Sequence, residues 1–297
     1  MSALGGSFPP LPTPFRDGCV DYDALAGLVD YHVREGSHGI LVCGTTAEPS
    51  TLTTDERAEC VRVAVKVAAG RVPVVAATGS QSHAETVDLT RRAERDGADA
   101  LLVVTPYYIR PPQRGLVEYF ADLGGRTRLP LLVYHIPGRA GVEITADSMA
   151  RIRERVPHLV GMKHASPDLA FVTKLLARLG PDFRIFAVLE ELSFPMLAIG
   201  AAGVMNAAGN LAPDRVAALC DHVAAGKLAD ARRAHFELYE LFESIFFDTN
   251  PIPLKYMLRR LGILERNEHR LPMVAATPEL EARLDGVLER AGLLARA

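Results

Sequence analysis

Short apolar runs alternate with longer amphipathic ones from Phe8 to about Ala225, and this alternation constrains the fold more than any other feature of the chain. Runs of this kind, separated by helical patterns, predict repeated strand–helix units whose strands pair in parallel. Eight strands are predicted, at Ser7–Leu11, Gly39–Val42, Val72–Ala77, Ala100–Val104, Leu129–His135, Leu159–Lys163, Phe183–Ala187 and Gly203–Asn206. Eight units favour an α/β fold of the closed (β/α)8, or TIM, barrel type over an open sheet, which more often has about five to seven strands.

Helix starts are readable between these strands. Two segments, Thr53 to Glu56 and Ser82 to Glu85, have the spacing of a capping box, and Thr145 precedes a further helical run. After Gly226 the strand pattern stops. Helices are predicted there at Lys227–Phe247, Pro253–Leu261 and Pro278–Leu294. We therefore expect a catalytic barrel over residues 1–226 and a C-terminal helical extension over residues 227–297.

Composition narrows the class of protein. The chain has 297 residues, 48% of them hydrophobic. Its net charge is −3 with mixed signs, which argues against a nucleic-acid partner and gives no sign of a cationic patch for binding a membrane. The N-terminal residues lack the basic start and apolar core of a signal peptide. The longest apolar stretch, Phe194–Met205, contains two glycines and is too short to span a bilayer. Four scattered cysteines without a Cys-x-x-Cys pair indicate reduced thiols in a cytoplasmic protein.

Lys163 stands at the end of the predicted sixth strand, in a chain with only five lysines against 28 arginines. A lysine with an ordinary pKa is neutral in about one molecule in 2,500 at neutral pH, and only the neutral amine attacks a carbonyl. Burial can lower this pKa by roughly three units and create an imine-forming nucleophile. From this segment alone, the ordinary interpretation is a lysine whose head group reaches water.

Other predicted strand ends also carry polar side chains, on the barrel face where chemistry is normally found. They are Gly44, Thr45 and Thr46 after the second strand, Tyr107 and Tyr108 after the fourth, and Tyr134 and Arg139 at the end of the fifth. Hydroxyls and successive backbone N–H groups suit a carboxylate. Each has a structural explanation by itself, but together with Lys163 they indicate imine chemistry on a small keto acid. Gly161 shares the strand face of Lys163, and we expect its missing side chain to leave room beside the amine.

Several segments, in this order along nearly the whole chain, resemble the dihydrodipicolinate synthase and N-acetylneuraminate lyase superfamily. They are Gly44-Thr-Thr-Ala-Glu48 with Ser50-Thr-Leu-Thr53, Thr105-Pro-Tyr-Tyr108, Tyr134-His-Ile-Pro-Gly-Arg139, Val160-Gly-Met-Lys163 and Asn250-Pro-Ile-Pro-Leu-Lys255. The resemblance implies a lysine-imine aldolase or dehydratase on a (β/α)8 barrel with a helical C-terminal extension. It also implies a homotetramer made of two tight dimers.

The resemblance assigns catalytic roles to four residues. Lys163 would form the imine with pyruvate or a pyruvate-yielding 2-keto acid, and Tyr134 would act beside it as general acid and base. Thr45 would link Tyr134 to Tyr108, which the neighbouring subunit would supply. The covalent lysine imine would need no further cofactor and no metal ion.

Substrate binding is implied for a second group. The Gly44 turn with Thr45 and Thr46 would hold the keto acid's carboxylate, and the Met205 carbonyl would face the pocket. Arg139 matches the arginine that binds the carboxylate of the second substrate in the synthase branch. The resemblance thus implies condensation of pyruvate with an aldehyde acceptor, L-aspartate semialdehyde.

The chain also departs from the family pattern. Ala47 replaces a glycine, His135 and His164 replace an amide and an acidic residue, and Val188 stands where a pocket glycine is expected. A side chain at 188 would narrow the site of the second substrate. The positions that resemble a lysine feedback site carry Pro49, Thr54, Arg57 and Gln81 in place of the typical histidines and asparagine. Inhibition by lysine is therefore predicted to be weak or absent.

Three alternatives remain open on the sequence. A catabolic aldolase or dehydratase acting on a sugar-derived or aromatic 2-keto acid would use the same imine. Metal-dependent catalysis would draw on His135, His158, His164, Glu190 and Glu191, whose spacing matches no recognised metal motif. A non-catalytic family member is the third alternative, although all the core residues are present. No Gly-x-Gly-x-x-Gly follows a predicted strand, which argues against a nucleotide cofactor.

Overall fold

The structure, a computed structural model, describes residues 4–294, and these form a barrel of eight parallel strands with helices around it. The predicted (β/α)8 fold is confirmed. The strands are β1 Gly6–Ser7, β2 Ile40–Val42, β3 Val74–Ala77, β4 Ala100–Val104, β5 Leu131–His135, β6 Leu159–His164, β7 Arg184–Ala187 and β8 Gly203–Val204. They pair in the order β1-β8-β7-β6-β5-β4-β3-β2, and a parallel bridge between Pro10 and Leu41 brings the two ends together.

The first and last strands are shorter than predicted. Pro9 and Pro10 have no N–H to donate, so the regular ladder of β1 ends at Ser7. The Pro9 carbonyl still accepts from the Leu41 N–H at 3.0 Å, which keeps this segment against β2. At the other end, the Asn206 side chain accepts from the Gly209 N–H and starts a 3-10 helix, Ala207–Asn210, where a longer strand was expected. An antiparallel pair, Phe15–Arg16 with Cys19–Val20, was not predicted.

The helices lie between and after the strands. They are α1 Tyr22–Arg34, α2 Thr54–Ala68, α3 His83–Arg95, α4 Gln113–Gly124, α5 Pro137–Ala140, α6 Ala146–Arg155, α7 Leu169–Leu179, α8 Ser193–Ala198, α9 Pro213–Ala224, α10 Leu228–Glu237, α11 Tyr239–Ser244, α12 Ile252–Arg260 and α13 Pro278–Arg290. Thr53 and Glu56 form the predicted capping box at the start of α2. The single helix expected over 227–247 is two helices, α10 and α11. Within residues 4–294, no helix is both long enough and apolar enough to cross a bilayer.

Side chains alternate across each strand, and this decides which residues face the inside of the barrel. Tyr134 on β5 lies opposite Lys163 on β6, and the next residues, His135 and His164, pair in the same way. The inner side chains form one buried cluster, consisting of Phe8, Leu41, Val75, Ala100, Leu102, Leu132, Tyr134, Ala165, Phe186 and Met205. The two histidines therefore face outward, toward the helices.

A buried ion pair ties the C-terminal extension to the loop after β2. The Lys255 ammonium on α12 lies 2.8 Å from a carboxylate oxygen of Glu48, and both side chains are almost completely buried. The same ammonium donates to the Glu268 carbonyl and lies 4.4 Å from the centre of the Phe15 ring. Glu48 directly follows the segment Thr45–Ala47, so this pair positions a loop that reaches the site.

Replacing Lys255 with methionine is expected to lower the free energy of unfolding at neutral pH by about 3–5 kcal/mol, because the Glu48 carboxylate stays buried without its cation. Urea unfolding measures the change. The double variant Lys255→Met with Glu48→Gln should recover most of the loss, since no buried charge remains. Lys66→Met, at an exposed lysine of α2, is the control. A Lys255→Met protein as stable as this control would contradict the prediction.

Candidate active site

Lys163 lies at the end of β6 with 2% of its surface exposed. Its side chain points into the barrel, so the interpretation of a lysine reaching water is wrong for this residue. Burial lowers the pKa of Lys163 to about 7, and a negative charge on nearby Glu190, when that group is ionised, acts in the opposite direction. A large fraction of the amine is therefore neutral at neutral pH, as nucleophilic attack requires.

Tyr134 accompanies the amine on the neighbouring strand. The Lys163 Nζ lies 4.5 Å from the centre of the Tyr134 ring, and the Tyr134 hydroxyl lies 3.3 Å from the Thr45 hydroxyl. Burial raises the pKa of Tyr134 to about 12, while the hydrogen bond between Tyr134 and Thr45 works in the opposite direction. The phenol is therefore protonated at neutral pH, and it can donate its proton and recover it within a buried site.

A small cavity of about 210 Å³ surrounds the amine. Its walls include Lys163, Tyr134, Thr45, Thr46, Arg139 and Met205, which are six of the eight site residues predicted from the sequence. Gly44 lines a larger adjoining cavity of about 600 Å³ instead. Thr45, Tyr134 and Arg139 line both cavities, and Arg139 is solvent-exposed there. This arrangement leaves room for a small keto acid at Lys163 and for a second molecule beyond it.

The C-terminal extension contributes to this cavity, which sequence reasoning missed. Asn250 lines the cavity and donates its side-chain N–H to the Thr46 hydroxyl at 3.0 Å. Phe246 also lies in the wall. In the sequence, Asn250 stands out only as part of a family motif, and its position in the turn before Pro251 is the signal that was available.

Tyr108 stands apart from the other predicted residues. Its side chain is 86% exposed, and its backbone adopts a left-handed φ of 74°. In the single chain it does not line either cavity, whereas Tyr107 lines the larger one. The relay from Tyr134 through Thr45 to a neighbouring subunit's Tyr108 stays a prediction.

Gly161 has a different purpose from the one expected. A Cβ at this position would lie 2.0 Å from the Arg184 carbonyl oxygen on β7. The glycine therefore permits the close approach of two strands rather than leaving space beside the amine.

Two of the departures from the family pattern, Val188 and Ala47, have different structural consequences. Val188 lines the small cavity, as expected for a side chain that narrows it. Ala47 lies in the 3-10 helix Thr45–Ala47 without a left-handed φ, so its methyl group causes no backbone strain.

His135 and His164 lie outside the small cavity. Their Nδ1 atoms are 3.2 Å apart, and both rings pack on Phe171. Burial lowers the pKa of each histidine to about 4, so both are neutral. Among residues 4–294, no group of three or more histidine, cysteine or acidic side chains is arranged to hold a metal ion.

The chain is similar to proteins whose sequences and structures are known. The model of the dihydrodipicolinate synthetase family matches residues 3–291. A 4-hydroxy-tetrahydrodipicolinate synthase from Thermus thermophilus is 48% identical over 290 residues, which cover 97% of each chain. The crystal structure of dihydrodipicolinate synthase from Aquifex aeolicus superposes with a TM-score of 0.96 at 41% identity, covering 98% of this chain and 99% of that one. The structure of the 4-hydroxy-tetrahydrodipicolinate synthase from Methylacidiphilum fumariolicum superposes with a TM-score of 0.95 at 37% identity, covering 97% of this chain and 96% of that one. With this similarity along its whole length, and a buried lysine beside a tyrosine inside the barrel, the chain belongs to the dihydrodipicolinate synthetase family.

Proposed function

We propose that this protein is a 4-hydroxy-tetrahydrodipicolinate synthase, which condenses pyruvate with L-aspartate semialdehyde through a covalent imine on Lys163. The observation that carries the proposal is the Lys163 amine itself, buried in a small cavity with a pKa lowered to about 7 and a tyrosine beside it. The imine provides the electron sink for the reaction, and no other cofactor and no metal ion is part of the proposal.

The chemistry follows from these positions. The neutral Lys163 amine attacks the keto carbon of pyruvate, and the resulting carbinolamine loses water to form the imine. Tyr134 gives a proton to the departing oxygen and takes one back as the reaction proceeds. Loss of a proton from the methyl group then produces an enamine, whose carbon forms the new bond to the aldehyde.

Substrate carboxylates need separate partners in this scheme. Thr45 and Thr46 carry hydroxyls in the cavity wall and would hold the carboxylate of pyruvate. Arg139 lies exposed where the two cavities meet, and its planar guanidinium would bind the carboxylate of the aldehyde.

A second function keeps the imine and changes the partner. The Val188 side chain lines the small cavity at a position where the family pattern has a glycine. This additional side chain favours a catabolic aldolase or dehydratase acting on another 2-keto acid. Assays with pyruvate plus L-aspartate semialdehyde, run beside a panel of 2-keto-3-deoxy acids, separate the two. The synthase is expected to turn over with the semialdehyde; turnover confined to the panel would select the catabolic function. Activity that disappears after exhaustive chelation would instead support a metal-dependent reaction, and the absence of turnover with every substrate would support a non-catalytic role.

Assembly and location belong to the same proposal. We infer a cytoplasmic homotetramer of two tight dimers in which Tyr108 completes the relay of the adjacent subunit. Tyr108 and Ile109 are 86% and 62% exposed on a loop with a left-handed residue, which suits a contact between subunits. Sedimentation of the purified protein tests the assembly.

Lysine is expected to inhibit this enzyme weakly or not at all. Arg57 lines the larger cavity, is buried, and donates to the Ala77 carbonyl at 2.9 Å, so a fixed cation occupies this wall. A lysine ammonium approaching it meets a like charge. Initial rates measured against lysine concentration check the prediction, and half-maximal inhibition at submillimolar lysine would contradict it.

A further inference from the structure

Glu190 is a buried acid in the wall of the small cavity. It begins the 3-10 helix Glu190–Leu192, which follows β7, and only 1% of its surface is exposed. One carboxyl oxygen, Oε1, accepts from the backbone N–H groups of Ala207 and Ala208, at 2.7 and 3.4 Å. The other oxygen, Oε2, is buried without a hydrogen-bond partner in the part of the chain that the structure describes. The carboxyl group is thus held from one side and left unpaired on the other.

Among the described residues that line the cavity of Lys163, Glu190 is the only one with an acidic side chain. A carboxylate buried with one oxygen unpaired is costly unless a cation compensates it. Burial accordingly raises the pKa of Glu190 to about 8, despite the two backbone donors. At neutral pH, before substrate binds, most of the acid in the cavity is therefore protonated and a large fraction of the amine is neutral.

Imine formation changes this charge balance. The reaction converts the neutral amine of Lys163 into a protonated imine, which is a cation buried in the small cavity. Tyr134 cannot supply a lasting negative charge, because its pKa is raised to about 12 and a phenolate would soon recover its proton. An acid that loses its proton in the same cavity would both supply the proton and stabilise the cation.

We propose that Glu190 is the charge-compensating acid of the imine: its carboxyl group releases a proton as the imine forms, and its carboxylate then stabilises the cationic nitrogen. Amine, ketone and carboxylic acid become protonated imine, water and carboxylate. A C=N bond replaces the C=O bond, the oxygen leaves as water, and no oxidant or reductant is needed. The inference deepens the proposed function and rests on it.

Counting protons tests the inference. The full-length protein is mixed with pyruvate alone, at a pH between the pKa values of Lys163 and Glu190, about 7 and about 8. A pH-indicator dye reports proton uptake, and borohydride reduction with mass analysis counts the imine. The wild type is expected to take up almost no protons per imine, whereas Glu190→Gln should take up about one, because its side chain has no proton to release. Half-saturation should also need at least about tenfold more pyruvate in Glu190→Gln, since an opposite charge nearby shifts a pKa by roughly one to three units.

Matched variants sharpen the test. Glutamine keeps an oxygen for the Ala207 and Ala208 N–H groups, so a purely structural role of Glu190 would survive in Glu190→Gln. Glu191→Gln removes the neighbouring exposed carboxyl group and should keep the wild-type proton balance. Glu190→Asp retains an acid and should take up fewer protons than Glu190→Gln.

Each outcome decides something. Equal proton uptake by wild type and Glu190→Gln would overturn the inference, as would a change only in the KM of the aldehyde. If Glu190→Gln does not fold, uptake of one full proton per imine by the wild type would overturn it too, because the carboxylate of pyruvate would then be the compensating charge. A wild type that forms no adduct with pyruvate would overturn the proposed function itself.

Discussion

Replacing Lys163 with alanine is expected to abolish the covalent adduct with pyruvate and to lower turnover by at least about 10⁴-fold, as removal of a covalent nucleophile does in other enzymes. Within residues 4–294, the buried amine is the only group lining the small cavity that can form an imine, because none of the other residues in its wall is a lysine. Borohydride reduction in the presence of pyruvate, followed by peptide mass analysis, locates the adduct. In the wild type we expect it on the peptide that contains Lys163.

Two further variants keep this experiment specific. Lys163→Met retains most of the side-chain volume and should be as inactive as the alanine variant, which separates chemistry from packing. Lys66→Ala removes an exposed lysine and should retain the adduct. An adduct that persists in Lys163→Ala, on any other lysine, would exclude Lys163 as the nucleophile.

The rate of adduct formation should also depend on pH with a definite sign. Burial lowers the pKa of Lys163 to about 7, and the amine is neutral above that value. The rate is therefore expected to rise through neutral pH and to level off above it, as pre-steady-state trapping at several pH values would show. A rate that rises only near the ordinary lysine pKa, about 10.4, would mean that the amine is not buried away from water.

Replacing Tyr134 with phenylalanine is expected to lower turnover at least tenfold, because one positioned proton donor typically contributes about 10²-fold or more. Phenylalanine keeps the aromatic ring beside Lys163, so burial of the amine should persist and the pyruvate adduct should still form, more slowly. Steady-state kinetics and adduct formation measured on the same protein distinguish these effects.

Tyr119 provides a matched control for this substitution. Its hydroxyl is also hydrogen-bonded to a threonine, donating to the Thr86 hydroxyl at 3.1 Å, but Tyr119 lines neither the small cavity nor the larger one. Tyr119→Phe loses the same kind of hydrogen bond and should keep its turnover. A Tyr134→Phe enzyme as active as Tyr119→Phe would remove Tyr134 from the mechanism.

The sequence pattern predicted the strands correctly where no residue within the run interrupts strand pairing. Ala100–Val104 is the strand that was predicted, because an uninterrupted apolar run buried on both sides is itself the signal. The predicted first strand was too long, since prolines at its centre cannot complete a ladder of hydrogen bonds. The split of the helix over 227–247 at Leu238 has no comparable signal in the sequence.

Some residues of the active site could likewise be identified from the sequence, and others could not. The residue types at the strand ends and the family motifs identified Lys163, Tyr134 and Thr45, and the parallel register of β5 and β6 then explains why the first two meet. In the sequence, Glu190 stands out only as an available metal ligand, because its neighbours along the chain do not reveal that it is buried. Asn250 and Lys255 reach the loop after β2 from 204 and 207 residues away, a distance that no local pattern spans.

The sequence by itself determined the order of strands and helices, the barrel and the family, because periodicity and motifs are properties of neighbouring residues. Only the tertiary structure decided which side chains share the cavity of Lys163 and whether they are charged. The physical reason is that a pKa depends on burial and on groups that are distant along the chain. Lys163 and Glu190 are ordinary residue types in the sequence, and burial in the closed barrel lowers the pKa of the amine to about 7 and raises that of the acid to about 8.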